Sequence, residues 1–220
     1  MARRALSVTV TTLTATTALL LTGCGGGEKS SPDDIKGADS GASSPSGSAS
    51  VSDPGGAGAP DMSVPKDVNL VFDFDTPSDA KSAAALANAE NYMRALTHGM
   101  AQQDPEDPAY KYYSDGLAAK YAKTQIQTMV KGGWTVTGTD EYYNAKATAL
   151  SNKNIVVTFC RNQGKFFGKE IKTGKILRTE ESLASYEKYT LLMNPPTSSS
   201  KPWKAMVIEV VGKSQECRAA

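Results

Sequence analysis

At Gly132-Gly133 the apolar spacing of this chain changes from a helical repeat to strict alternation, and that change orders its elements: helices first, strands after. Before the glycine pair, Leu86, Ala89, Met93, Leu96 and Met100 recur at steps of three and four, forming one apolar helix face. Thr76 is positioned to cap this helix, Pro77 suits its first turn, and Asp79 follows the cap by three residues. Gly99 and Asp104-Pro105 limit its end, and Asp104 to Tyr113 reads as loop or short helix. A second long helix is expected from about Ser114 to Lys131, with Leu117, Tyr121, Ile126, Met129 and Val130 inward. The glycine pair closes it.

Beyond the pair, five segments read as strands: Gly133 to Thr139, Tyr142 to Leu150, Asn154 to Arg161, Ser182 to Met193 and Trp203 to Val211. Thr139-Asp140, Ser151 to Asn154, Lys172 to Lys175 and the proline-rich Asn194 to Pro202 separate them as turns. Short turns between consecutive strands predict a curved antiparallel meander. Val68 to Asp75 also alternates, with Val68, Leu70, Phe72 and Phe74 on one side, as a short strand or extended lead-in. The expected class is α+β, with N-terminal helices packed on the sheet and a single domain over 65–220. Asp73-Phe74-Asp75-Thr76 has only a superficial likeness to a phosphatase motif, because Thr76 follows the second Asp immediately and no β/α alternation follows. A strand edge leading into a helix cap accounts for it.

The first 23 residues have the layout of an export signal: Arg3 and Arg4, an apolar stretch from Leu6 to Leu21, then Thr22-Gly23 before Cys24. The order Leu21-Thr22-Gly23-Cys24 resembles the lipobox of bacterial lipoproteins. That resemblance implies a diacylglyceryl group on Cys24, cleavage before it by the lipoprotein-processing enzymes, and palmitate-type acylation of the new amino terminus. The apolar stretch is shorter than the roughly 20 residues a spanning helix needs. Two or more acyl chains anchor stably, at about 0.8 kcal/mol per buried methylene. The expected address is the outer face of the plasma membrane, with the lipid on Cys24 as the membrane contact. Both the general and the twin-arginine export routes stay open.

From Gly25 to Pro60, 22 of 36 residues are Gly, Ser or Pro, and Ile35 and Val51 are the only large aliphatic side chains. Such a stretch buries too little apolar surface to offset its ordering entropy, so 24–64 is expected to act as a disordered tether. Without Arg3 and Arg4 the chain holds 22 basic against 23 acidic side chains, which gives no basis for nucleic-acid binding. Lys165, Lys169, Lys172, Lys175 and Arg178 cluster where a solvated hairpin is expected, with a weak contact to an anionic surface as the alternative.

Of three cysteines, Cys24 is assigned to lipid, leaving Cys160 and Cys217 as an even pair in an oxidising compartment. A disulfide between them requires the tail after the last strand to fold back across the sheet end; two free thiols remain the alternative. His98, the single histidine, lies off the apolar stripe and is expected to face solvent near a helix end. One histidine supports neither a hydrolase triad nor a histidine-rich metal site, and no cofactor is expected. Trp134 and Trp203 each open a strand and are expected to close the core.

Two helices before a long-stranded sheet, with Phe72 to Pro77, Gly132-Gly133-Trp134, the Cys160 strand, Thr173-Gly174-Lys175 and Trp203 followed by Cys217, resemble nuclear transport factor 2-like, or SnoaL-like, cone domains. Small lipoproteins of high-GC Gram-positive bacteria carry such a domain behind a Gly/Ser linker. A cystatin-like or unrelated α+β packing is the rival arrangement. The resemblance implies an apolar cavity between helices and sheet, with Tyr92, Tyr121, Trp134 and Tyr142 as candidate pocket residues and Asp140 and Tyr143 as further polar lining. It also implies a non-enzymatic role, binding a small apolar ligand, an envelope protein or a second copy of the chain. The alternative is a ketosteroid-isomerase-like enzyme using an acid and hydrogen-bond donors inside the cone.

Overall fold

The computed structural model describes residues 58–220. The signal, Cys24 and most of the expected tether lie outside these residues. Within the tether's expected range, Met62 packs against the core, because a thioether finds apolar neighbours there that Gly and Ser cannot use.

Helix α1 (Ala80–Gln102) starts one turn later than expected. Asp79, not Thr76, is the cap: its carboxylate accepts from the Ser82 amide at 2.8 Å. The helix continues through Gly99, because Gln103 takes the left-handed cap and donates to the Gly99 carbonyl. Gly99 is needed for close approach, since a Cβ there would stand 2.5 Å from Ile126 Cδ1. Helix α2 (Pro108–Tyr113) follows, then α3 (Gly116–Gly132), capped by Asp115. The inward face of α3 is Ala118, Ala122 and Ile126. Leu117 and Val130 point outward at 61% and 38% exposure, contrary to expectation, because small alanines let α3 lie close to its neighbours.

The sheet has six strands: β1 (Val68–Asp73), β2 (Trp134–Ala149), β3 (Ile155–Glu170), β4 (Ile176–Leu177), β5 (Tyr186–Asn194) and β6 (Lys204–Gly212). Their order is β1-β2-β3-β5-β6, with β4 also pairing β3. Strands β2 to β6 form the expected antiparallel meander, whereas β1 runs parallel to β2, Val68 opposite Gly138. Thr139-Asp140 is not a turn. Strand β2 runs through it with a register shift between Thr139 and Glu141, so two expected strands are one. Strand β3 likewise continues to Glu170 and takes in Lys165 and Lys169.

The fold is α+β: helices cover one face of the sheet, and Leu86, Met93, Leu96, Ile126, Val157, Leu191 and Met193 are buried between the two layers. Trp203 closes that core at 6% exposure. On the opposite face, helix α4 (Gln215–Arg218) folds back over the end of the sheet. The Cys160–Cys217 disulfide holds it there with Cα atoms 5.3 Å apart, and Tyr143 donates to the Cys217 carbonyl at 2.6 Å. Closing a loop of this length is worth about 4 kcal/mol of chain entropy at most.

Candidate functional site

Register brings the chemistry of the helix-covered face together. Tyr142 on β2 stands opposite Arg161 on β3, which stands opposite Glu187 on β5. Arg161 forks onto Asp140, Nε to Oδ1 at 2.7 Å and Nη2 to Oδ2 at 2.8 Å, while Nη1 donates to Glu187 at 3.0 Å. Tyr142 donates to Asp140 at 2.7 Å and Tyr189 to Glu187 at 3.0 Å. Asp140 is fully enclosed. Burial by itself would lower the Arg161 pKa, but the adjacent Asp140 outweighs it and holds the guanidinium well above its usual value. Burial also pushes the Tyr142 and Tyr189 phenols well above theirs.

Aromatic rings pack beside this cluster. Phe72 stacks on Tyr142 at 4.6 Å, Phe159 stacks on Tyr189 at 5.2 Å, and Tyr142 meets Phe159 edge-on at 5.8 Å. Arg94 lies 4.5 Å over the Phe72 ring.

Three of the four sequence-derived pocket residues share this interior. Tyr92 is wholly buried, donates to the Ala118 carbonyl at 2.8 Å and has its pKa raised by burial. Tyr121 is half-buried beside Tyr189, and Tyr142 belongs to the ion-paired cluster. Trp134 does not join them. It stands 38% exposed where α3 meets β2 and does not close the core. Tyr143 is on the opposite face, under α4.

His98 is buried, not solvent-facing: its Nδ1 is 2.7 Å from the carboxylate of Asp107, itself only 1% exposed. Asp107 also accepts from the Ala109 amide at 2.6 Å, so one carboxylate caps α2 and ties it to α1.

Among the described residues, clefts also lie outside the interior. The first, of about 630 Å³, runs between α2 and the loop joining β5 to β6. Pro108, Tyr112, Pro195, Pro196, Pro202 and Met206 supply apolar wall, and Lys111, Lys201 and Lys204 outnumber Asp115 on its rim. Asn194 lines it, and the Asn194 side-chain oxygen is buried with no hydrogen-bond partner. The second, of about 470 Å³, lies between the α3–β2 junction and the β3–β4 turn, with Trp134 and Ile171 in its wall. Among the described residues no group of His, Cys, Asp and Glu could hold a metal ion.

Sequence reasoning missed Arg161, Glu187 and Asn194 as site residues. A lone arginine at a strand end carries no local signal, and its partners lie 21 and 26 residues away.

No family model and no curated protein matches the chain. Among solved structures, the intermembrane space region of the chloroplast protein ARC6 is similar over 62% of this chain and 98% of that one, at 11% identity and a TM-score of 0.37.

Proposed function

We propose that this protein is a lipid-anchored extracytoplasmic binding protein, non-enzymatic, whose α+β domain takes an amphipathic ligand in the cleft between α2 and the β5–β6 loop, one that offers a hydrogen-bond donor to Asn194 and a carboxylate to the rim lysines. The observation that carries this reading is Asn194: a polar side chain with a buried, unpartnered oxygen, set in an apolar cleft rimmed by lysines. An unsatisfied buried acceptor is costly unless something else supplies its partner. Apolar walls with a few convergent polar groups are the usual make-up of a small-ligand site. The lipobox and the Gly/Ser-rich tract support the anchor, and the cone resemblance remains the reading of the domain.

An isomerase-type reaction finds little support in the interior. A general base must be free to take a proton, whereas Asp140 and Glu187 are both held by Arg161 and each accepts a tyrosine hydroxyl. Tyr142 and Tyr189 are committed as donors to those carboxylates and not to a developing oxyanion.

Native mass spectrometry of the protein released gently from its membrane tests the ligand. A bound species should be lost in Met206→Trp, which fills the cleft, and kept in Tyr121→Phe, which alters the interior. The reverse pattern would place the ligand in the interior. Replacing Cys24 with Ala tests the anchor, and membrane retention of that variant would defeat it.

A further inference from the structure

We propose that the end of the domain built from the α3–β2 junction and the β3–β4 turn is a membrane contact in its own right, made to an anionic lipid surface. Val130, Trp134 and Ile171 are 38%, 38% and 52% exposed. The Ile171 amide donates to the Gly133 carbonyl at 2.9 Å, which draws the turn against the junction and joins these side chains into one patch. The Trp134 ring lies against Gly132, where a Cβ would come within 2.5 Å of Cε3. The indole is thus braced on backbone while more than a third of it stays open.

Cations surround the patch. Lys131, Lys172 and Lys175 are exposed, and among the described residues none of the three has a carboxylate partner. The neighbouring Lys169, near the end of β3, is ion-paired to Asp67. Glu170, the acid at the base of the turn, is engaged by the Thr173 hydroxyl at 2.6 Å.

This combination selects its partner. Tryptophan is favoured at the membrane–water interface, with aliphatic groups just below it and lysines at the level of the lipid phosphates. Protein interfaces, by contrast, are depleted in lysine. The contact does not depend on the lipid at Cys24, so its test uses the chain from residue 24 with Cys24→Ser.

Trp203 is already buried, so intrinsic fluorescence reports chiefly on Trp134. Vesicles of phosphatidylcholine with added phosphatidylglycerol should shift the emission to the blue, and pure phosphatidylcholine should not. Trp134→Phe should abolish the shift while circular dichroism stays native. Each lysine near an anionic surface is worth about fivefold in affinity, so reversing Lys131, Lys172 and Lys175 to Glu together should weaken vesicle binding at least about 100-fold. Raising the salt should weaken it as well. Equal binding to both vesicle types, or no shift with either, overturns the proposal. A shift that grows with protein concentration in the absence of vesicles overturns it too and assigns the patch to a second copy of the chain.

Discussion

The interior cluster around Arg161 and the cleft around Asn194 are opposite solutions to one problem, the burial of polar side chains. In the interior every charge meets a partner: Arg161 binds two carboxylates, and each of these takes a tyrosine hydroxyl. In the cleft, Asn194 has an oxygen shut away from water and paired with nothing. The first arrangement is closed and holds the sheet in register. The second is incomplete, and incompleteness is what a ligand can repair. A cluster rich in charge is therefore the less promising place to look for binding.

Breaking the interior should have the largest effect. Arg161→Ala strands Asp140 as an enclosed, unpaired carboxylate, and urea denaturation should register a loss of about 3–5 kcal/mol. If the protein tolerates this change, the cluster is not structural and the contrast with the cleft fails. The Cys160→Ser, Cys217→Ser double variant should lose up to about 4 kcal/mol, read in the same way, because it frees α4 from the sheet. Tyr142→Phe removes one donor to Asp140 and should cost about 1 kcal/mol.

The cleft should behave in the other direction. Asn194→Ala removes an unsatisfied buried acceptor, so the denaturation midpoint should hold or rise, by no more than about 1 kcal/mol, while ligand binding falls. A loss of stability comparable to that of Tyr142→Phe would mean that Asn194 has a structural partner.

The smallest expected effect is one of pH. Glu106 accepts from Lys111 and Lys123, and these contacts hold its carboxyl at about 2 against an ordinary 4.5. A folded-state pKa below the unfolded one contributes stability that is complete above the unfolded value and is lost as pH falls through the folded one. The wild-type denaturation midpoint should therefore decline between about pH 4.5 and about pH 2, and Glu106→Gln should show a shallower decline over the same window.

Particular residues show where local sequence suffices and where it fails. Leu86, Ala89, Met93 and Leu96 announce the buried face of α1 by spacing alone, and all four are buried. On α3 the same logic finds Ile126 but otherwise misleads, because Ala118 and Ala122 are buried beside it while the larger Leu117 faces out. Hydrophobic size ranks residues by what they gain from burial, but it cannot say how closely two helices approach. Asp140 looks like turn material because a lone acid rarely sits inside a strand. Its place there depends on Arg161, contributed by a different strand. His98 is drawn inside in the same way by Asp107, beyond the end of its own helix. The Asp140 and His98 errors each involve a partner supplied from outside their own element, which no local pattern encodes.

The parallel seating of β1 on β2 bears on how the chain assembles. Val68 meets Gly138 across a stretch that holds three helices, so the first strand of the described residues must wait for a later one. Such a distant pairing closes slowly, and until it does an alternating apolar ribbon with Leu70, Phe72 and Phe74 stands without its sheet. During that interval the folding chain leaves this apolar surface open to misassembly. Speeding or slowing the arrival of β2 should govern yield more than it alters the finished molecule.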